Sequence, residues 1–225
     1  MYLSKKHKLA FIAVPRTASL SVQSALTESA FSDETDIVTE LSDPKNMDSV
    51  VEYHMTLANL TGKGLISEEE FSQYTKIGFV REPLSRWVSS VFLARHIGKL
   101  PDHIDPVDQM ITLLRSPTAA ALFKKDTTDG FNIFHYHRYF FKGGQQVVTA
   151  YHWQDAEAVI TELIQEKCGA DTQVSFPNIQ INPNGVPDQF KQPISDWLPS
   201  DCCDKLSAYL ADDIAFYNSV ERRNG

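Results

Sequence analysis

Residues 8–21 read KLAFIAVPRTASLS, and their order decides the fold. The apolar run Leu9–Val14 has the length and composition of a buried strand, and it stops at Pro15. Ser19 then opens a helix predicted to reach Ala30, with Leu20, Ala25 and Leu26 as candidate core positions. A helix N-terminus offers unpaired backbone N–H groups and the positive end of its dipole, so a strand running into a helix this way readily holds an anion at the turn. Residues 76–90, KIGFVREPLSRWVSS, repeat the design: the strand Ile77–Val80 ends at Arg81 and gives way to a helix over Pro83–Arg95, with Pro suited to the first turn. In that helix Leu84, Trp87, Val88, Val91 and Phe92 form one apolar stripe, and Ser85 and Ser89 fall off it. One such loop suggests a nucleotide; two suggest a ligand with two separate anionic groups.

Outward from these segments, strands and helices alternate. Phe31–Asp48 reads as an acidic connection, with a short strand at Ile37–Leu41, and Val50–Leu60 is open between helix and loop. Asp105-Pro106 starts a helix that ends near Arg115, and a short one follows Ser116-Pro117. Gln146–Tyr151 is a third strand, leading into a helix over Asp155–Cys168 closed by Gly169. Phe176–Gln192 is an irregular loop. Ser200 caps a terminal helix to Ser219, with Leu206, Leu210, Ile214 and Tyr217 inward. The alternation means an α/β fold with a mainly parallel sheet. No internal repeat or linker divides the chain.

A length of 225 residues, 42% apolar and 22% charged, suffices for one well-filled core. The net charge of −8 argues against nucleic acid or an anionic membrane as the main partner. An anionic ligand therefore needs a local positive pocket. Cys168, Cys202 and Cys203 are odd in number and lack zinc-site spacing, which suits free thiols in a reducing compartment. The short run Leu9–Val14 is no signal-peptide core, and no stretch is long enough to span a bilayer, so the expectation is a soluble, cytoplasmic protein.

The loop is not a Walker loop, because no G-x-x-x-x-G-K-[ST] occurs. Val14-Pro15-Arg16-Thr17-Ala18-Ser19-Leu20-Ser21 instead resembles the 5′-phosphosulfate loop, P-K-T-G/A-S-x-S, of sulfotransferases that use PAPS (3′-phosphoadenosine 5′-phosphosulfate). Arg81-Glu82-Pro83-Leu84-Ser85-Arg86-Trp87-Val88-Ser89 resembles the same family's 3′-phosphate motif, R-D/E-P-x-x-R-x-x-S. The flavour is that of the glycan branch typified by heparan sulfate 2-O-sulfotransferase. The likeness covers Leu9–Ser29 and Lys76–Arg95 most closely, then more weakly Gln146–Leu163 and the terminal helix.

The resemblance implies a P-loop-kinase-like three-layer sandwich, a single domain over residues 1–225 with a central, mainly parallel sheet flanked by helices. It implies that Arg16, Thr17, Ala18, Ser19, Leu20 and Ser21 cradle the 5′-phosphosulfate, and that Arg81 and Ser89 hold the 3′-phosphate. Arg86 reads equally as a ligand contact or a salt-bridged arginine. Where the family has a catalytic Lys this chain has Arg16, which neutralises charge on the bridging oxygen but does not give up a proton. His54, in Glu52-Tyr53-His54-Met55-Thr56 between the two loops, matches the setting of the glycan enzymes' catalytic base. The partners implied are PAPS, leaving as PAP, and a hydroxyl acceptor, with a carbohydrate favoured over a protein tyrosine or small alcohol; no metal is required.

The other histidines, among them His96, His103, His135, His137 and His152, have no comparable context. The aromatic run Phe131–Phe141 reads as core before sugar platform. Arg95, Arg138 and Lys142 are candidates for holding an acidic acceptor, and Asn178–Asn184 falls where the family places a loop near the cofactor. Two alternatives remain open: a nucleotide-dependent kinase, against which the missing Gly-rich loop counts, and a non-catalytic nucleotide-binding module.

Overall fold

The computed structural model describes residues 1–39, 53–118, 135–179 and 185–223. Tyr2–Ser4 (β1) turns back antiparallel onto Leu9–Ile12 (β2). Ser19–Thr27 (α1) follows β2, and Ile37–Val38 (β3) pairs with the outer side of β1. Leu57–Gly62 (α2) and Glu68–Ser72 (α3) lead to Thr75–Val80 (β4), and Pro83–His96 (α4) leaves its end. Pro106–Arg115 (α5), His137–Phe140 (α6) and a small hairpin, Phe141–Lys142 (β5) with Gln145–Gln146 (β6), come next. Thr149–His152 (β7), Ala156–Cys168 (α7), Ser200–Tyr209 (α8) and Ala211–Ser219 (α9) complete the order.

The main sheet runs β3-β1-β2-β4-β7, with β2, β4 and β7 parallel and β1 alone opposed. Both faces are covered, as a parallel sheet requires. Leu9, Phe11 and Ala13 pack on one face with Val22, Ala25 and Leu26 of α1 and Ala156, Val159 and Ile160 of α7. Ala10, Ile12 and Val14 pack on the other with Leu57 and Leu60 of α2, Phe71 of α3 and Tyr139 and Phe140 of α6. A third cluster lies under the α4 stripe, where Trp87, Val88, Val91 and Phe92 meet Met110 and Leu114 of α5 and Leu206 of α8. At the centre of β4 stands Gly78: a Cβ there would lie 3.0 Å from the Phe140 ring, so any larger residue would make that ring draw back from the sheet.

Several expectations change. β1 was not legible as a strand. The predicted strand over Gln146–Tyr151 divides, because Gln146 belongs to the hairpin and the sheet strand starts at Thr149. The terminal helix is two helices meeting at Leu210, and its N-cap is Pro199 rather than Ser200. Asp105 does cap α5, accepting from Val107 and Asp108 N–H. Thr56 starts α2 within the ambiguous Val50–Leu60. The expected strand end at Glu40–Leu41, the helix after Thr118, residues 131–134 of the aromatic run and residues 180–184 lie outside the described residues. Among the described residues no helix is long and apolar enough to cross a membrane.

Candidate active site

β2 and β4 are neighbours and parallel, so the loops leaving their carboxyl ends lie side by side. The first is tightly wound: Arg16 and Ala18 have φ of 65° and 60°. Non-glycine residues hold such angles at a cost of about 1–3 kcal/mol each, and sites that do so are commonly functional. Thr17 between them donates its hydroxyl to Val14 O at 2.9 Å, which closes the turn. The hydroxyl proton is thus directed inward, to the backbone of the loop itself. Ala18 is the N-cap of α1 and, lacking a side-chain acceptor, caps nothing. The first-turn N–H groups of Ser19, Leu20 and Ser21 therefore carry no side-chain cap, the condition in which a helix start can receive an anion. The Leu20 side chain packs on the core, and Ser21 Oγ accepts from Ile179 N at 3.1 Å, which draws the loop around Asn178 to the start of α1.

The second loop works differently. Glu82 is the N-cap of α4, and its carboxylate accepts from Leu84 N at 3.0 Å and Ser85 N at 2.6 Å. The α4 terminus is thus already matched to a negative group, contrary to the expectation that both helix starts hold ligand anions. The sequence signal was present, since Glu82-Pro83 is the same cap-then-proline pattern as Asp105-Pro106. What this loop leaves for an anion is Arg81, at the end of β4, and Ser89, two turns along α4.

Arg16 joins the two loops. Its Nε and Nη2 donate to Ser89 Oγ at 2.9 and 2.8 Å. A hydroxyl accepts these bonds but brings no counter-charge. Burial, then repulsion from Arg81, lowers the Arg16 pKa to about 10, so it remains a cation at neutral pH. Burial likewise holds Arg81 below the usual arginine range. Its guanidinium carbon stands 5.4 Å from the centre of the Trp153 ring. Neither guanidinium has a salt-bridge partner among the described residues. The charge of Glu82 acts on Arg81, yet no carboxylate bridges either guanidinium among the described residues, and an anion between two neighbouring half-buried cations relieves both desolvation and repulsion.

His54 reaches the same place from the start of α2. Its Nδ1 lies 2.6 Å from Ala13 O, at the end of β2. A carbonyl only accepts, so Nδ1 carries the proton and Nε2 is left as the lone-pair nitrogen. Burial, chiefly, with help from the charges of the chain's ammonium and Arg16, lowers the imidazole pKa to about 3. Tyr53 meets the ring edge-on at 4.6 Å and fixes its plane.

Other candidates are committed elsewhere. Arg86, 1% exposed, pairs with Asp213 at 2.7 Å and is a buried structural arginine. Arg95 ties down carbonyls of Pro101, Asp102 and Ile104, and Lys142 pairs with Glu68 at 2.6 Å. His135 lies beside Asp213, His137 stacks on Phe141, and His152 bonds to Val220 O.

A family model described as Sulfotransferase family matches residues 1–158, a range holding both loops and His54. The chain belongs to the sulfotransferase family. No curated protein and no solved structure matches it.

Proposed function

We propose that this sulfotransferase passes the sulfonyl group of PAPS to a hydroxyl of a carbohydrate by direct in-line transfer. One observation carries the reading: Arg16 and Arg81, both half-buried and bridged by no carboxylate among the described residues, neighbour one another at the strand ends beside the uncapped start of α1. That donor set fits a ligand with two anionic ends. Arg16 and the backbone of Thr17, Ala18, Ser19, Leu20 and Ser21 would hold the 5′ end, and Arg81 with Ser89 the 3′-phosphate. The carbohydrate acceptor rests on the likeness of both motifs to the glycan branch, and the P-loop-kinase-like core on the covered parallel sheet. Residues beyond 158 belong to the same unit in this reading, since Asp213 pairs with Arg86. The three free thiols suit a cytoplasmic setting.

PAPS supplies, when bound, a sulfonyl group already activated as an anhydride with phosphate. Arg16 keeps a positive charge at the bridging oxygen throughout, without giving up a proton. His54, with Nδ1–H fixed on Ala13 O, presents Nε2 to take the proton of the acceptor hydroxyl. Negative charge arriving beside Arg16 offsets its repulsion and raises the basicity of His54 from its low value.

The test is transfer of labelled sulfonyl from PAPS to a panel of polysaccharides, phenols and small alcohols. The reading expects label on a carbohydrate with the native chain and none with His54→Ala, while both retain PAP binding. Label on a phenol alone would overturn the acceptor class, and label on none would overturn the activity.

A further inference from the structure

Arg81 is held by more than its strand. Its backbone N–H donates to the Tyr136 hydroxyl at 2.8 Å, and the same hydroxyl donates to Arg81 O. Both polar backbone groups of the residue just beyond β4 thus close on one phenol, 55 residues away in the chain. Tyr136 is fully buried. Burial, chiefly, pushes its pKa up to about 12, so it keeps the proton it donates.

Tyr136 is in turn anchored on three sides. Its N–H donates to Asp213 Oδ1 at 2.9 Å, while Asp213 Oδ2 accepts from Arg86 at 2.7 Å. The Arg86 guanidinium lies over the Tyr136 ring, 3.9 Å from its centre. Phe140 and Phe216 meet the ring edge-on at 5.9 and 5.8 Å. The ring and backbone therefore secure the fold, and among the described residues the hydroxyl bonds only Arg81.

We propose that Tyr136 is a positioning residue for anion recognition, setting the backbone of Arg81 so that its guanidinium meets the 3′-phosphate of the donor. This rests on the reading of Arg81 given above. Two hydrogen bonds from a rigid phenol narrow the backbone angles of Arg81 and reduce the freedom lost when its side chain engages a ligand.

Tyr136→Phe removes the oxygen and keeps the ring, so it separates positioning from packing. The measurement is calorimetric affinity for PAP and for AMP, which lacks the 3′-phosphate, in the native chain, Tyr136→Phe, Arg81→Ala and the double variant. Expected are preference for PAP in the native chain, roughly tenfold weaker PAP binding in Tyr136→Phe with AMP unchanged, and no further loss when it is added to Arg81→Ala. Equal weakening of PAP and AMP would make Tyr136 a merely structural residue and overturn the proposal, as would an unchanged preference. A native chain that does not prefer PAP to AMP would overturn the Arg81 reading itself, and the proposal with it.

Discussion

Arg16 stands where the family loop carries lysine, and it carries its charge to Ser89 on another element. A compact ammonium at that position would still supply charge and could also donate a proton to the leaving oxygen. Arg16→Lys is therefore expected to retain or raise the transfer rate in a steady-state assay; an inactive lysine variant would show that the guanidinium fork itself is needed. Arg81→Ala should weaken PAP binding by roughly ten- to a hundredfold, the loss of a charge-assisted contact of about 1.5–3 kcal/mol, read by calorimetry. The loops themselves were legible because their chemistry is local: proline, arginine and hydroxyls within a few residues of a strand end. The Arg16–Ser89 contact was not, since it spans 73 positions. Nor was the inward turn of the Thr17 hydroxyl, which depends on left-handed angles at two residues that usually avoid them.

At the scale of elements, α4 is the link between site and core. Its apolar stripe was readable from spacing, and it packs as read against α5 and α8. Its other buried face, Arg86 and Ser89, was not readable, because a polar residue on a helix is usually solvated. Arg86 pairs with Asp213 of α9, both nearly inaccessible at 1% and 2% exposure. Asp213→Ala would strand a buried guanidinium and should lower stability by about 3–5 kcal/mol in urea unfolding. Gly78→Ala forces a methyl toward the Phe140 ring and should destabilise by about 1–3 kcal/mol, seen as a lower midpoint at unchanged slope. The bend at Leu210 escaped the sequence for a clear reason: Leu206, Leu210, Ile214 and Tyr217 keep helical spacing straight through it. The bend lets the chain pass from the cluster under α4, which holds Leu206 and Leu210, to the sheet face, where Tyr217 packs. β1 escaped because three residues are too few to show a period.

For the whole molecule, the fold class followed from strand–helix alternation, whereas the antiparallel edge of the sheet did not. Within a chain of net charge −8, two neighbouring arginines that no carboxylate bridges among the described residues make the attraction for an anion local and short-ranged. The buried His54 sets a pH dependence. Its folded pKa, about 3, lies below the ordinary value of 6.5, so the unfolded chain takes up the proton first as pH falls. This contribution to stability is fully present above 6.5 and is lost progressively as pH drops toward 3, by up to about 1.4 kcal/mol per pH unit. Urea midpoints between pH 7 and 4 should fall less steeply in His54→Gln than in the native chain, and parallel slopes would contradict the buried neutral imidazole. The most direct test of the central claim is calorimetric titration with PAP and with ATP-magnesium, in the native chain and in Arg81→Ala. The account predicts preference for PAP that Arg81→Ala abolishes; binding of ATP-magnesium alone, or PAP binding indifferent to Arg81, would contradict it.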